Sequence, residues 1–506
     1  MNGLEFLVPF VVQKELHMMR KGFFALLAVA ALAGCSRTTP EQQIVNDAAQ
    51  ALGGADRIAA VKTLVIEGTG TQYNLGQDVV PGASGQTFAV TAYKRAVDVA
   101  GGRARTELTR RPNFTFFQGP AAQTQISGVD GAVGYNVAPN GNATRAAKAA
   151  ANDRRAELLH HPITAVGAAL DPMARLANPR TEGSESLLDV TTASGQAFTL
   201  AIDSTTKLPT RVVTTTDNTN LGDVAISTAF SGYQAVGGLQ LPTGLSTKTD
   251  EFTTQEIEVS TQAVDGDTGD LAAPAAAASA APATGPAPVT VAEEVLAPGI
   301  WYLAGGSHHS VLVEFADHLM LIEAPQNDAR ALAVIAKARE LVPGKPLTQL
   351  VNSHHHFDHS GGVRAAISEG LTLITHQGNA AFFEEIAKRP HTIVPDALST
   401  NAKPLTVEGV GDQRVITDGK MTVNLYPVTG AHSESMLMAY FPAQRILVVA
   451  DVYTPGAAVF MYAGGLQETL KARNLRVDRI APLHGKVVPY AQFAKDASAP
   501  PPTATN

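Results

Sequence analysis

Within the run Ser353-His354-His355-His356-Phe357-Asp358-His359 the chain sets out four side chains able to hold metal ions. Read as His-x-His-x-Asp-His, they are His354, His356, Asp358 and His359. A zinc-like divalent cation takes neutral imidazole nitrogens and carboxylate oxygens at about 2.0–2.2 Å. His354 and His356 sit two apart, so an extended backbone sends both to the same side, where one ion can use them. Asp358 and His359 follow once the chain begins to turn, and they can address a second ion nearby. His355 points the other way and is left out of the set.

Such side chains need rigid elements behind them. Residues 347–352 form a short, mostly apolar run that reads as a buried strand leading into the motif. Gly361-Gly362 come next, and 363–369 reads as a short helix. Three further candidates stand downstream. His432 comes after a strand-like run at 421–428, Asp451 ends the apolar run 446–450, and His484 lies in Ala481-Pro482-Leu483-His484-Gly485. Each stands just past a strand or beside a turn residue, where loops carry chemistry on a fixed scaffold.

This ordered pattern resembles the metallo-β-lactamase-fold hydrolase superfamily over roughly residues 289–490. The resemblance implies an α/β fold, an αββα sandwich, holding two divalent metal ions, zinc by default for mixed His and carboxylate ligands. It implies that His354, His356 and His432 form the first metal site. Asp358, His359 and His484 form the second, and Asp451 bridges them. One departure stands out. The superfamily usually carries an Asp in an Ile-Asp-x-Gly context, and this chain has Leu321-Ile322-Glu323-Ala324-Pro325. Glu323 takes that supporting place with a longer arm.

The chemistry implied is hydrolysis of an ester, thioester, lactone or amide by a metal-bridging hydroxide, with Asp358 also orienting the nucleophile. The implied partner is a small-molecule substrate. The zinc β-lactamases of this superfamily commonly carry Cys or Ser where Asp451 stands, so the Asp bridge is more similar to the hydroxyacylglutathione hydrolase and lactonase branches. A periplasmic β-lactamase is the second reading. A non-catalytic envelope lipoprotein that binds metal or a hydrophobic ligand is the third.

Net charge is −8 and no basic run occurs, which argues against nucleic acid as a partner. Residues 1–35 read as a targeting segment: Met18-Met19-Arg20-Lys21, an apolar core at 23–32, then Leu32-Ala33-Gly34-Cys35. The apolar core is too short for a comfortable span of about 20 residues. The segment looks like a bacterial lipoprotein signal, cleaved before Cys35, which then carries the lipid. Ser36 rather than Asp comes after it, which by the same resemblance favours the outer membrane, facing the periplasm. Translation is expected to start at Met18 or Met19. Cys35 is the sole cysteine, so the mature body has no internal disulfide and no thiolate ligand.

At 506 residues the chain has room for two or three domains. Residues 41–270 read as a β-rich domain. The strand-like runs 63–69, 89–99, 197–202, 211–216 and 256–264 alternate apolar and polar residues, as one half-buried antiparallel sheet requires. The domain is similar in pattern to the curved open sheets of lipoprotein-carrier-like proteins. The stretch 271–288 is rich in Ala and Pro and reads as a semi-extended linker, with the metal domain at 289–490 and a disordered tail at 491–506. In the metal domain, 311–315 and 319–323 read as a hairpin, and 328–341 as a helix capped by Asp328. Of the other candidates, His308 and His309 read as surface-loop residues ahead of a place on the pocket rim, His376 as a residue past a strand ahead of a support for the site, His160 and His161 as structural or exposed, and Tyr453 as a candidate oxyanion donor.

Overall fold

The computed structural model describes residues 38–498 apart from 84, 115–118, 283–288, 429, 458 and 459. The targeting segment with Cys35, the last third of the Ala/Pro stretch and the end of the tail lie outside the described residues.

The first domain is built on alternation. In Thr87–Asp98 buried positions such as Phe88, Val90 and Tyr93 are separated by more exposed ones, so the strand turns one face inward. Thirteen strands join edge to edge in a single antiparallel sheet. Most neighbours are consecutive in the chain, but Thr63–Tyr73 pairs with Phe252–Val264, which draws the beginning and end of the domain together. That pairing depends on two glycines. A Cβ on Gly68 would lie 2.3 Å from the Glu258 carbonyl oxygen, and one on Gly70 would lie 1.9 Å from that of Glu256. The helices Pro40–Leu52, Ala55–Ala60 and Pro162–Leu170 cover part of the sheet, with Val45, Leu52, Ile163 and Val166 packed on Leu64, Val97 and Leu188.

The second domain stacks two sheets. A mixed seven-stranded sheet runs from Ala292–Ala297 to Val407–Val410, and a six-stranded one from Arg414–Thr417 to Val488–Pro489. In Leu319–Ile322 every residue is buried, because both faces are covered. Met320 and Ile322 point toward the other sheet, where they join Leu425, Met438 and Leu447. Leu319 and Leu321 point outward to Ala331, Val334 and Ile335 of the helix Asp328–Leu341. Helices flank both sheets, giving an αββα sandwich.

Three local expectations change. The Asp328–Leu341 helix is capped by Asn327, whose side chain accepts from Arg330 N–H. Asp328 instead accepts from the Ala397 amide at 2.6 Å. The Ala/Pro stretch is not wholly extended. Ala275–Ser279 forms a short helix, and the sheet holds its flanks: Ala273 N–H donates to Asp130 at 3.0 Å, and Arg145 donates to the Ala280 carbonyl at 2.7 Å. The tail is ordered as far as Ala497, since Tyr490–Ala497 is a helix that buries Phe493 against Tyr453.

From Pro40 onward the chain clusters as one compact unit. Leu221 and Val224 of the first domain pack with Ile386 of the second. Asp223 accepts from the amides of Thr392 and Ile393 at 2.9 and 3.0 Å. Arg389 reaches the Leu221 carbonyl and the Asp250 carboxylate. The second domain is thus docked on the rim of the first.

Candidate metal centre

The strand Leu347–Val351 is parallel to Leu319–Ile322 and ends beside it, so the segments that leave the two strands meet. Glu323 comes directly after Leu319–Ile322 with φ 76, a backbone conformation uncommon for a residue with a Cβ. This turn aims its carboxylate inward, where it is wholly buried. It accepts from the Asn352 amide group at 3.0 Å, from the Ser353 hydroxyl, and from His359 Nδ1 at 3.0 Å. Glu323 therefore supports the motif and does not reach its centre. His356 closes the extended stretch, and the single helical turn Phe357–Ser360 swings Asp358 and His359 round.

Two groups result, each with its potential ligand atoms within 4.8 Å of one another. One contains His354, His356, His432 and Asp451; the other contains His308, Asp358, His359 and His484. Asp451 lies between them. One of its oxygens is 2.9 Å from His359 Nε2 and 2.9 Å from His484 Nε2, and the other is 3.0 Å from His432 Nε2. His354 Nε2 faces His432 Nε2 at 3.2 Å, and His359 Nε2 faces His484 Nε2 at 3.0 Å.

The outer ring nitrogens decide what the inner ones offer. His359 Nδ1 faces Glu323, His484 Nδ1 faces the Ser307 carbonyl at 2.9 Å, and His356 Nε2 faces the Asp78 carbonyl at 2.8 Å. Each of these partners is an acceptor, so each ring donates outward and, when neutral, offers its other nitrogen inward. Ser353 donates to Glu323 and so accepts from His354 Nδ1 at 3.0 Å, which makes the same choice for His354. His356 Nδ1 is buried with no hydrogen-bond partner. A buried acceptor left without a donor is costly unless something else takes its lone pair. These donors fit divalent cations: neutral imidazoles and carboxylates, each braced from behind.

Electrostatics agree with that fit at His354 and His356, and at His359 and His484 they show a positive charge standing beside Asp451. Burial, reinforced by neighbouring imidazoles, holds His354 well below the ordinary histidine value and pushes His356 down to about 3. Both are neutral, as ligands must be. Burial works against charge on His359 and His484 too, but the Asp451 carboxylate overrides it and raises both. Burial also opposes ionisation of Asp451, and its imidazole neighbours His359 and His432 hold it well below the carboxylate range. For Asp358 the burial penalty is outweighed by the His308 hydrogen bond and the charge of His359, so it too is lowered.

The centre opens on a cavity of about 290 Å³. Asp358, His432, Asp451, Thr454, Tyr462 and His484 form one side, and Asn74, Gln77, Gln86 and Phe114 of the first domain form the other. All seven sequence-derived candidates meet here. His308 is no surface-loop residue: it is buried and 2.9 Å from Asp358, in keeping with the pocket-rim alternative. The Gly305-Gly306 turn before it was the available signal. His309 is also buried, accepting from Gly305 N–H. Tyr453 points away and donates to Asp496 at 2.8 Å, and Tyr462 takes the place at the cavity wall. His355 packs beside Phe382, and His376 accepts from the Gly378 amide. His160 is bonded to Thr214 and Thr228, and His161 caps the helix Pro162–Leu170.

Residues 303–484 match the sequence profile of the metallo-beta-lactamase superfamily, and residues 19–36 match that of the prokaryotic membrane lipoprotein lipid attachment site. The latter supports a lipid anchor through Cys35. Among the described residues no helix is long and apolar enough to cross a membrane. No curated protein matches the chain. Solved structures similar to it include the DIM-1 metallo-beta-lactamase, at 15% identity over 42% of this chain and 97% of that one, with a TM-score of 0.33. A metallo-beta-lactamase from Hirschia baltica shares 19% identity over 41% of this chain and 96% of its own, with a TM-score of 0.32. The inverting sec-alkylsulfatase Pisa1 from a Pseudomonas species shares 16% identity over 41% of each chain, with a TM-score of 0.32.

Proposed function

The domain over residues 303–484 belongs to the metallo-β-lactamase superfamily, and from that premise we propose that the chain is a binuclear, zinc-dependent hydrolase of esters, thioesters, lactones or amides. The observation that carries this reading is the placement of Asp451 between two groups of braced imidazoles. His354, His356 and His432 would hold one ion and Asp358, His359 and His484 a second, with Asp451 within reach of both groups. Bound there, the ions supply Lewis acidity that brings the pKa of a water toward neutrality.

The chain's own residues do the rest. Asp358 lies in the cavity wall as an ionised carboxylate, and it accepts a hydrogen bond from the attacking water and orients it. His308 and Gln77 hold Asp358 in place at 2.9 and 2.8 Å. Water adds to the acyl carbon, the acyl–heteroatom bond breaks, and the leaving group departs with a proton. Asp451 at the bridging position supports thioester or lactone cleavage over β-lactam cleavage. The lipid on Cys35 holds the enzyme at the outer membrane, facing the periplasm.

Replacing His356 with Ala removes an inward ring nitrogen and opens the first ligand group. The variant is expected to lose at least half of its bound metal and essentially all turnover. Elemental analysis and a panel of thioester, lactone and chromogenic β-lactam substrates test this. A fully active His356→Ala protein rules the mechanism out.

A further inference from the structure

The centre is not completed by the superfamily domain alone. The first domain's strands Thr63–Tyr73 and Thr87–Asp98 are joined by a long loop, 74–86. The loop is closed at its base by Asn74 N–H donating to the Gln86 carbonyl at 2.9 Å. Residues 76–79 of it lie along the metal motif like a strap. Phe357 N–H donates to the Gly76 carbonyl at 3.1 Å, and Glu434 N–H donates to the Val79 carbonyl at 2.9 Å. One strap thus pins both the turn that carries Asp358 and the loop that carries His432. Gly76 sits at φ +80, and a Cβ there would lie 2.3 Å from the Phe357 ring. Only glycine lets the strap approach this closely.

Two strap contacts reach the candidate ligands themselves. The Asp78 carbonyl takes the outer nitrogen of His356, which leaves Nδ1 turned inward. The Gln77 side chain, half-buried, donates to Asp358 Oδ1 at 2.8 Å, while His308 engages the other oxygen. A carboxylate only accepts, so the amide nitrogen is the end of Gln77 that faces it.

We propose that residues 76–79 of this strap are part of the metal centre, with Gln77 as a positioning residue for Asp358 and the Asp78 carbonyl fixing the ligand tautomer of His356. The inference rests on the metal-dependent reading above and goes further. It assigns site residues to the β-rich domain and makes the two domains one catalytic unit. Outer partners of metal ligands are worth about 10–100-fold in metal affinity or activity.

The test uses the full chain, stripped with a chelator and titrated with zinc. Wild-type protein is expected to bind two equivalents. Gln77→Leu keeps the side-chain bulk and loses the donor. It is expected to bind the first equivalent normally and the second about tenfold or more weaker, with kcat reduced and KM changed little. Gly76→Ala lifts the strap from Phe357. In metal-free protein, nitrogen NMR of the histidine rings should then show His356 losing its fixed Nε2-protonated form. Gln77→Leu with unchanged second-site affinity and unchanged kcat overturns the proposal, whatever Gly76→Ala does. If His356→Ala loses metal while Gln77→Leu and Gly76→Ala both behave as wild type, the strap proposal alone fails. Wild-type protein that takes up no zinc overturns both readings.

Discussion

At the scale of the residue, the centre is organised from outside inward. Glu323 shows the logic. Its carboxylate is fully buried and holds Asn352, Ser353 and His359, so it sets the ring that faces both Asp451 and His484. Glu323→Ala is therefore expected to weaken metal binding by about 10–100-fold while every inward-facing candidate side chain remains. Competition with a chromogenic chelator measures this. A second, partly buried carboxylate acts on stability. Burial opposes ionisation of Asp396, but bonds from Arg364 and Ser399 win and hold it down to about 2. Its folded value lies below the ordinary 3.8, so its contribution is fully present above that pH and lost as pH falls through about 2. Asp396→Asn should lower stability at neutral pH and flatten the acid limb of the wild-type stability curve between those two values.

At the scale of the element, strands deliver and turns aim. Leu319–Ile322 and Leu347–Val351 are read easily, being short, wholly or largely apolar and mostly buried. The turns at their ends are harder to read. The positive φ of Glu323 and the single turn Phe357–Ser360 are set by the pocket they enclose, and local sequence preference does not foretell either. The tail teaches the same lesson. The helix Tyr490–Ala497 falls within the stretch expected to be disordered, and its Phe493 is wholly buried against Tyr453. Phe493→Ala should cost about 3–5 kcal/mol, as aromatic truncations in a core do, seen as a lower denaturant midpoint of the intact chain. It should also loosen the segment just past Asp451, because Tyr453 is two residues along.

At the scale of the whole molecule, three parts are joined in series: an attachment segment, a wide antiparallel sheet and the metal sandwich. Cys35→Ala is expected to move the protein from the membrane to the soluble fraction and abolish fatty-acid labelling, with hydrolysis unchanged. The sequence by itself determined the ligand candidates, since imidazoles and carboxylates at His-x-His-x-Asp-His spacing have few other uses, and the strands that carry them announce themselves by their apolar runs. It also determined the alternating sheet, because a period of two is local. Only the tertiary structure decided that His308 belongs with Asp358, that Tyr462 rather than Tyr453 faces the cavity, and that Gln77 and Asp78 reach across from the other domain. Gln77 meets Asp358 across 281 positions of chain. A contact at that separation leaves no periodicity, cap or turn signal, because it exists only once two finished surfaces are docked.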